Sequence, residues 1–188
     1  MIRDLPIKTQ TTFEDFLAFE STSLERHEFV DGNLFVMSGG TDRHNHLISR
    51  LIIRLFEIAI AHNGFLFQSD VLIRTTSGKG YYPDLFVLFD ASLDSPRVKH
   101  RPSIIIEVLS SSTEAIDRGE KWQAYQQTPS LEQYVLLSQD EAIAEVFSRA
   151  ETGWHYQKLE QNELLKFPSL ECEIFLSSLY TNLPPREA

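Results

Sequence analysis

One glutamate lies in the middle of an otherwise apolar segment, Ile104-Ile105-Ile106-Glu107-Val108-Leu109. A segment of this length in which all the other residues are large and apolar predicts a strand that is buried on both faces. A carboxylate in such a strand costs free energy unless a cation or several hydrogen-bond donors compensate it. The segment therefore predicts a central strand, and it predicts that Glu107 meets a compensating partner in the folded chain.

A second carboxylate stands where a neighbouring strand could bring it to Glu107. Asp84 follows Pro83 within a predicted strand over 81–89, and the proline indicates an edge or a bulge there. Mg²⁺ prefers hard oxygen ligands and usually takes one or two carboxylates from the protein. Asp84, Glu107 and the backbone carbonyl of Val108 could form such a set. The alternative is that Asp84 is a turn residue and that Glu107 pairs with an arginine.

A lysine follows the Glu107 strand after one short polar loop. Asp117 and Lys121 are four residues apart on a predicted helix, so the two side chains share one face. That face can lean back over the end of the strand, where an ammonium group would stabilise hydroxide and the charge that develops on a phosphate. The alternative is an ordinary surface salt bridge, which contributes little to stability.

The periodicity of the chain predicts an α/β fold, with one mixed β-sheet flanked by helices, an N-terminal hairpin and a C-terminal β-meander. The hairpin turns at Asp31-Gly32. Helices are expected after Thr11 or Thr12, over about 43–62 and 114–127, and near 176–183. Strands are expected over 65–73, 81–89, 103–109, 132–137, 142–147, 154–159 and 172–175.

Composition limits the class of protein. The chain has 188 residues, of which 42% are hydrophobic, and one cysteine, Cys172, so it fits a single domain without an internal disulfide. No apolar run is long enough to span a bilayer, and the N-terminus has no signal-peptide pattern, so we expect a cytoplasmic protein with no membrane partner. The formal net charge of −10 argues against a simple nucleic-acid-binding surface. A bound divalent cation would add positive charge where a phosphate lies.

Several short motifs together resemble the PD-(D/E)xK nuclease superfamily: Pro83-Asp84, Glu107-Val108-Leu109-Ser110 and Asp117-Arg118-x-x-Lys121-x-x-x-Tyr125. The segment 28–34 and the helix that holds His46 narrow the resemblance to the Uma family of restriction-endonuclease-like proteins. The likeness extends from about Thr12 to Leu179. It implies one restriction-endonuclease-like domain over 1–188, with its core at about 12–180.

The resemblance also implies a catalytic site. Asp84 and Glu107 would be metal ligands, and Mg²⁺, which Mn²⁺ could replace, would be the cofactor. The superfamily's lysine usually stands two residues after the acid, where this chain has Leu109. In the Uma-like branch the lysine is on the following helix, which points to Lys121, and Glu28 matches an additional acid from the N-terminal region. Supporting roles would fall to Asp117, Arg118 and Tyr125.

The long helix over 43–62 carries a basic stripe beside its apolar face, formed by Arg43, His46, Arg50 and Arg54. These residues could contact phosphates, which supply most nucleic-acid affinity, or they could form a solvated face. The triplet His44-Asn45-His46 spells another nuclease signature. We discount it, because that signature is spread over a ββα-metal fold and residues two apart on a helix do not share a face.

The sequence thus favours a Mg²⁺-dependent endonuclease that hydrolyses phosphodiester bonds, with DNA preferred over RNA. The enzyme could be a homodimer, since two sites cut both strands of a duplex most easily. One alternative is a non-catalytic module that binds nucleic acid or protein on the same fold, which the net charge of −10 favours. Another is a hydrolase that uses paired acids as glycosidases do, although Lys121 would oppose the raised pKa that such an acid needs.

Overall fold

The computed structural model describes residues 5–37, 39–90 and 95–186. The helices are α1 Phe13–Glu20, α2 Asp42–Ala61, α3 Glu114–Ile116, α4 Trp122–Tyr125 and α5 Leu176–Leu179. A π-helical segment, Asp117–Lys121, joins α3 to α4 without a break, and a 3₁₀ turn spans Pro168–Leu170. The strands of the N-terminal half are β1 His27–Val30, β2 Asn33–Val36, β3 Phe65–Gln68, β4 Leu72–Arg74, β5 Gly80–Tyr81 and β6 Leu85–Leu88. Those that follow are β7 Val98–Lys99, β8 Ile104–Leu109, β9 Gln133–Ser138, β10 Ile143–Arg149, β11 Trp154–Glu160, β12 Leu164–Phe167 and β13 Cys172–Phe175.

A six-stranded mixed sheet forms the centre of the fold, in the order β11-β10-β9-β8-β6-β3. Strand β8 lies between β9, to which it is parallel, and β6, to which it is antiparallel. Every residue of β8 is buried. The predicted central strand is therefore confirmed, and the predicted C-terminal meander is confirmed as β9, β10 and β11.

The remaining strands are divided between two smaller sheets, so the expectation of one sheet is wrong. A five-stranded sheet has the order β2-β1-β5-β4-β7, and β12 pairs with β13 in a separate ribbon. The predicted strands over 65–73 and 81–89 each split between the two larger sheets. Ser69 breaks the first with a φ of 31°, which strand residues do not adopt. Pro83 breaks the second, because it has no amide hydrogen for a ladder.

The long helix α2 covers one face of the central sheet. It begins after Thr41, whose hydroxyl oxygen accepts a 3.2 Å hydrogen bond from the amide of His44. Its buried side chains have helical spacing and belong to the same hydrophobic core as the inner strands of the sheet: Leu47, Ile48, Leu51, Leu55 and Ala59. The predicted helix is confirmed within one residue at each end. No described helix is long and apolar enough to cross a membrane.

Candidate functional site

The site begins where β6 and β8 stop pairing. Leu85 and Ile106 form the last backbone pair on this side, and Pro83 then turns the chain away. The amides beyond this pair bond to carboxylates instead of to a strand. Asp84 donates its amide to Glu107 Oε2 at 3.1 Å, and Val108 donates its amide to Asp84 Oδ2 at 2.7 Å. The predicted side-by-side placement of Asp84 and Glu107 is thus observed, and each acid also satisfies a backbone donor at a strand end.

Lys121 lies at the centre of three carboxylates. Its Nζ is 3.0 Å from Glu107 Oε1, 3.0 Å from Asp117 Oδ1 and 3.3 Å from Glu28 Oε1. All four side chains are buried, with Lys121 5% and Glu107 2% exposed. An ammonium group has three N–H donors, and here each has one carboxylate to face. The surface salt bridge considered as an alternative is therefore excluded, and Glu107 pairs with a lysine rather than with an arginine.

The π-helical segment explains how both Asp117 and Lys121 turn inward. A π turn shifts the residues that follow it around the helix axis, and such turns are frequent at functional sites. The segment is anchored on both sides by tyrosines. Tyr134 donates its hydroxyl to the carbonyl of Asp117 at 3.0 Å, and Tyr81 donates to Glu120 Oε1 at 2.9 Å. The helix predicted over 114–127 is in place, but the π turn at its centre was not predicted.

Burial and charge shift the titration of this cluster. Burial raises the pKa of Glu107 well above its usual value; Lys121 counteracts this, and the charges of Asp117 and Asp84 add to it. Burial likewise raises the pKa of Asp117, with Lys121 opposing the change. For Lys121, burial acts to lower the pKa, but Asp117, Glu107 and Glu28 outweigh it and hold the pKa well above its usual value. The charge of Lys121 therefore does not fully offset the cost of burying Glu107 and Asp117, while the three carboxylates keep the lysine protonated.

A cleft of about 340 Å³ opens over this cluster. Its walls come from the end of β2, the glycines before α2 and the polar loop that follows β8. Four carboxylates line it, Glu28, Asp84, Glu107 and Asp117, together with Lys121 and His44. Four carboxyl groups thus stand against one lysine and one histidine, so acidic side chains outnumber basic ones in the cleft.

His44 is a member of the site that the sequence analysis missed. Its Nε2 is 3.1 Å from Asp84 Oδ2. Burial acts to lower the pKa of His44, but the hydrogen bond and the charge of Asp84 outweigh this effect and raise it. The discounted triplet is not the relevant signal. His44 precedes Ile48 by four residues and Leu51 by seven, so it continues the apolar stripe of α2, and that spacing could have placed it on the inner face.

The other predicted site residues lie elsewhere. The guanidinium of Arg118 pairs with Glu114 at 2.6 Å and with Glu145 at 2.7 Å, outside the cleft. Arg50 donates to the carbonyl of Ser178 at 3.0 Å, which fixes the C-terminal segment against α2. His46 and Arg54 are exposed on α2 and are not among the described residues that line the cleft. Phosphate contacts by His46, Arg50 and Arg54 stay a prediction, and their placement does not favour it.

Tyr125 is fully buried beside the site, and the described part of the chain offers its hydroxyl no hydrogen-bond partner. We expect Tyr125→Phe to leave the free energy of unfolding unchanged or to raise it by about 1 kcal/mol, because it removes an unsatisfied polar group. Tyr134→Phe is the matched control, since Tyr134 is equally buried but bonds to Asp117; it should lose about 1–2 kcal/mol. Urea unfolding measures both, and a loss above about 1 kcal/mol for Tyr125→Phe would contradict the assignment.

The architecture matches that of a solved nuclease-like structure. The crystal structure of a "putative nuclease belonging to DUF820" from Anabaena variabilis superimposes with a TM-score of 0.76, over 90% of this chain and 97% of that one. The two sequences are only 14% identical, so the match concerns the fold. The predicted restriction-endonuclease-like α/β class is confirmed.

The family follows from the sequence match. The model of the Uma2 family, described as "Putative restriction endonuclease", matches residues 13–177, and the chain belongs to this family. Two relatives from Synechocystis sp. are similar over most of their length. "Uncharacterized protein slr1290" is 28% identical over 90% of this chain and 91% of its own, and "Uncharacterized protein sll1609" is 30% identical over 82% and 84%.

Proposed function

We propose that this protein is a metal-dependent endonuclease that hydrolyses phosphodiester bonds, with DNA as its preferred substrate. The observation that carries the proposal is the acidic cleft, which four carboxylates line and in which three of them surround one buried lysine. A polyanion cannot approach such a cleft unless cations first neutralise it. Membership of a family whose description is "Putative restriction endonuclease" supports the same reaction class.

The donor set fits Mg²⁺. Asp84 and Glu107 supply two carboxylates, and Val108, whose amide bonds to Asp84, can supply its carbonyl. No hydrogen bond from the described residues reaches Asp84 Oδ1, which leaves this oxygen for a cation. The same residues contain no group of three or more His, Cys, Asp and Glu side chains arranged as a metal site. Mg²⁺ commonly takes only one or two carboxylates and keeps its waters, so two acids suffice.

When bound, Mg²⁺ or Mn²⁺ would polarise the scissile phosphate and lower the pKa of a water molecule. The side chains of the site would supply positioning and charge compensation. Lys121 Nζ would offset the negative charge that develops on the phosphate. Its three N–H donors each face a carboxylate, so Lys121 would orient the attacking water only by exchanging one of these partners, such as Glu107, for the water. Asp117 Oδ1 and Glu28 Oε1 lie 3.0 and 3.3 Å from Lys121 Nζ. These two acids therefore position the ammonium group, which also pairs with Glu107. In a homodimer, two such clefts could act on the two strands of a duplex.

The test is a cleavage panel of supercoiled plasmid, linear duplex, single-stranded DNA and RNA, with Mg²⁺, Mn²⁺ or EDTA. We expect the wild type to cut DNA only with a divalent metal, and Asp84→Ala to lose this activity. Thermal unfolding of both proteins controls for folding, because Asp84 also accepts a hydrogen bond from Val108. Metal binding without cleavage of any substrate would favour the non-catalytic module instead. Hydrolysis that persists in EDTA would favour an acid/base hydrolase.

A further inference from the structure

The hydrogen bonds that the described residues make to the Asp84 side chain all reach one of its two carboxylate oxygens. Oδ2 accepts a hydrogen bond from the Val108 amide at 2.7 Å and another from His44 Nε2 at 3.1 Å. His44 donates to this oxygen in the tautomer that carries a proton on Nε2, and the approach of Nε2 to Asp84 fits that tautomer. The two donors come from two different elements, β8 and the first turn of α2. Together they fix the plane of the carboxylate, whereas the Val108 amide alone would let the group rotate.

His44 is itself held in place by the backbone in front of it. A Cβ atom built on Gly40 would lie 2.6 Å from His44 Nδ1 and 3.1 Å from Cγ, closer than real contacts allow. The ring therefore packs directly against the chain at residue 40, and this position must be glycine if the ring is to reach Asp84. Gly40 is therefore needed because it leaves room for the His44 ring.

We infer that His44 is a positioning residue that, with Gly40 behind it, orients Asp84 so that Oδ2 is held inside the fold and Oδ1 faces the cleft. The inference rests on the proposed function for its catalytic consequence, since His44 contacts the acid rather than the reacting atoms. Groups that orient metal ligands typically change metal affinity or activity by about 10- to 100-fold when they are removed. We expect an effect of this size from the loss of His44.

Three variants separate orientation from folding. His44→Ala removes the second donor, His44→Gln keeps an N–H donor of similar reach, and Gly40→Ala displaces the ring without removing any polar group. We expect Mn²⁺ affinity by calorimetry to fall about 10- to 100-fold in His44→Ala and to fall in the same direction in Gly40→Ala. The Mn²⁺ affinity of His44→Gln should stay within a few-fold of that of the wild type. Unchanged Mn²⁺ affinity in both alanine variants would overturn the inference.

A second readout needs neither metal nor cleavage. The Val108 amide donates to Asp84 Oδ2, the oxygen that His44 also contacts. Hydrogen exchange of the Val108 amide, measured by NMR, should therefore be faster in His44→Ala and Gly40→Ala than in the wild type and His44→Gln. The Ile105 amide, further inside the same strand, is the internal control for folding. Equal protection of Val108 in all four proteins would refute the positioning role even if the wild type proved to be no nuclease. Conversely, the Val108 amide could exchange faster in the alanine variants while the wild type cleaves no substrate. That result would refute the proposed nuclease function but support the positioning role of His44.

Discussion

Replacing Glu107 with alanine is expected to abolish metal-dependent cleavage, with a loss of roughly 10³-fold or more, because it removes one of two proposed carboxylate ligands. The fold should survive. Lys121 keeps Asp117 at 3.0 Å and Glu28 at 3.3 Å, so its buried charge stays compensated. The Asp84 amide loses its acceptor, which costs about 1–3 kcal/mol. Single-turnover cleavage with Mg²⁺, beside thermal unfolding, measures the two effects separately.

The control for this variant is a carboxylate that plays no part in the site. Glu151 is exposed in the turn before β11, and Glu151→Ala changes the net charge by the same amount. It should cleave at the wild-type rate. Wild-type cleavage by folded Glu107→Ala would exclude Glu107 from catalysis.

Replacing Lys121 with methionine is expected to destabilise the protein more than any other single change discussed for this site. Methionine keeps the length of the side chain but removes its charge. Glu28, Glu107 and Asp117, all buried, would then lose the cation that they share, and breaking a buried ion pair from one side costs about 3–5 kcal/mol. Urea unfolding at neutral pH measures the loss of stability.

Two further measurements test the cause of this loss of stability: its dependence on pH, and the effect of the same substitution at an exposed lysine. The pKa values of Glu107 and Asp117 are raised by burial even with Lys121 present, so without it the folded state binds protons more tightly than the unfolded state. Stability then falls as pH rises, and the deficit of Lys121→Met should shrink toward acidic pH. Lys166 also pairs with a glutamate, at 2.9 Å, but is 61% exposed, so Lys166→Met should lose less than about 1 kcal/mol. Equal losses in the two variants would rule out the burial argument.

The sequence by itself determined the strand around Glu107 and the need for a partner to that acid. Five large apolar residues within six consecutive positions favour a buried strand, and the carboxylate among them needs a compensating partner. The helical spacing of Ile48, Leu51 and Leu55 determined α2 in the same way. Asp117 and Lys121 were predictable as neighbours because they are four residues apart on one helix. In each case the signal lies within a few positions of the chain.

Only the tertiary structure decided which distant groups meet at the site. Glu28 reaches Lys121 from the N-terminal hairpin, and His44 reaches Asp84 from α2, 40 residues away along the chain. The division of the predicted strands between two sheets, and the use of Arg50 to hold a C-terminal carbonyl, also depend on long-range packing. Periodicity reports which face of an element a residue occupies, but the partner of that face is set by how whole elements pack.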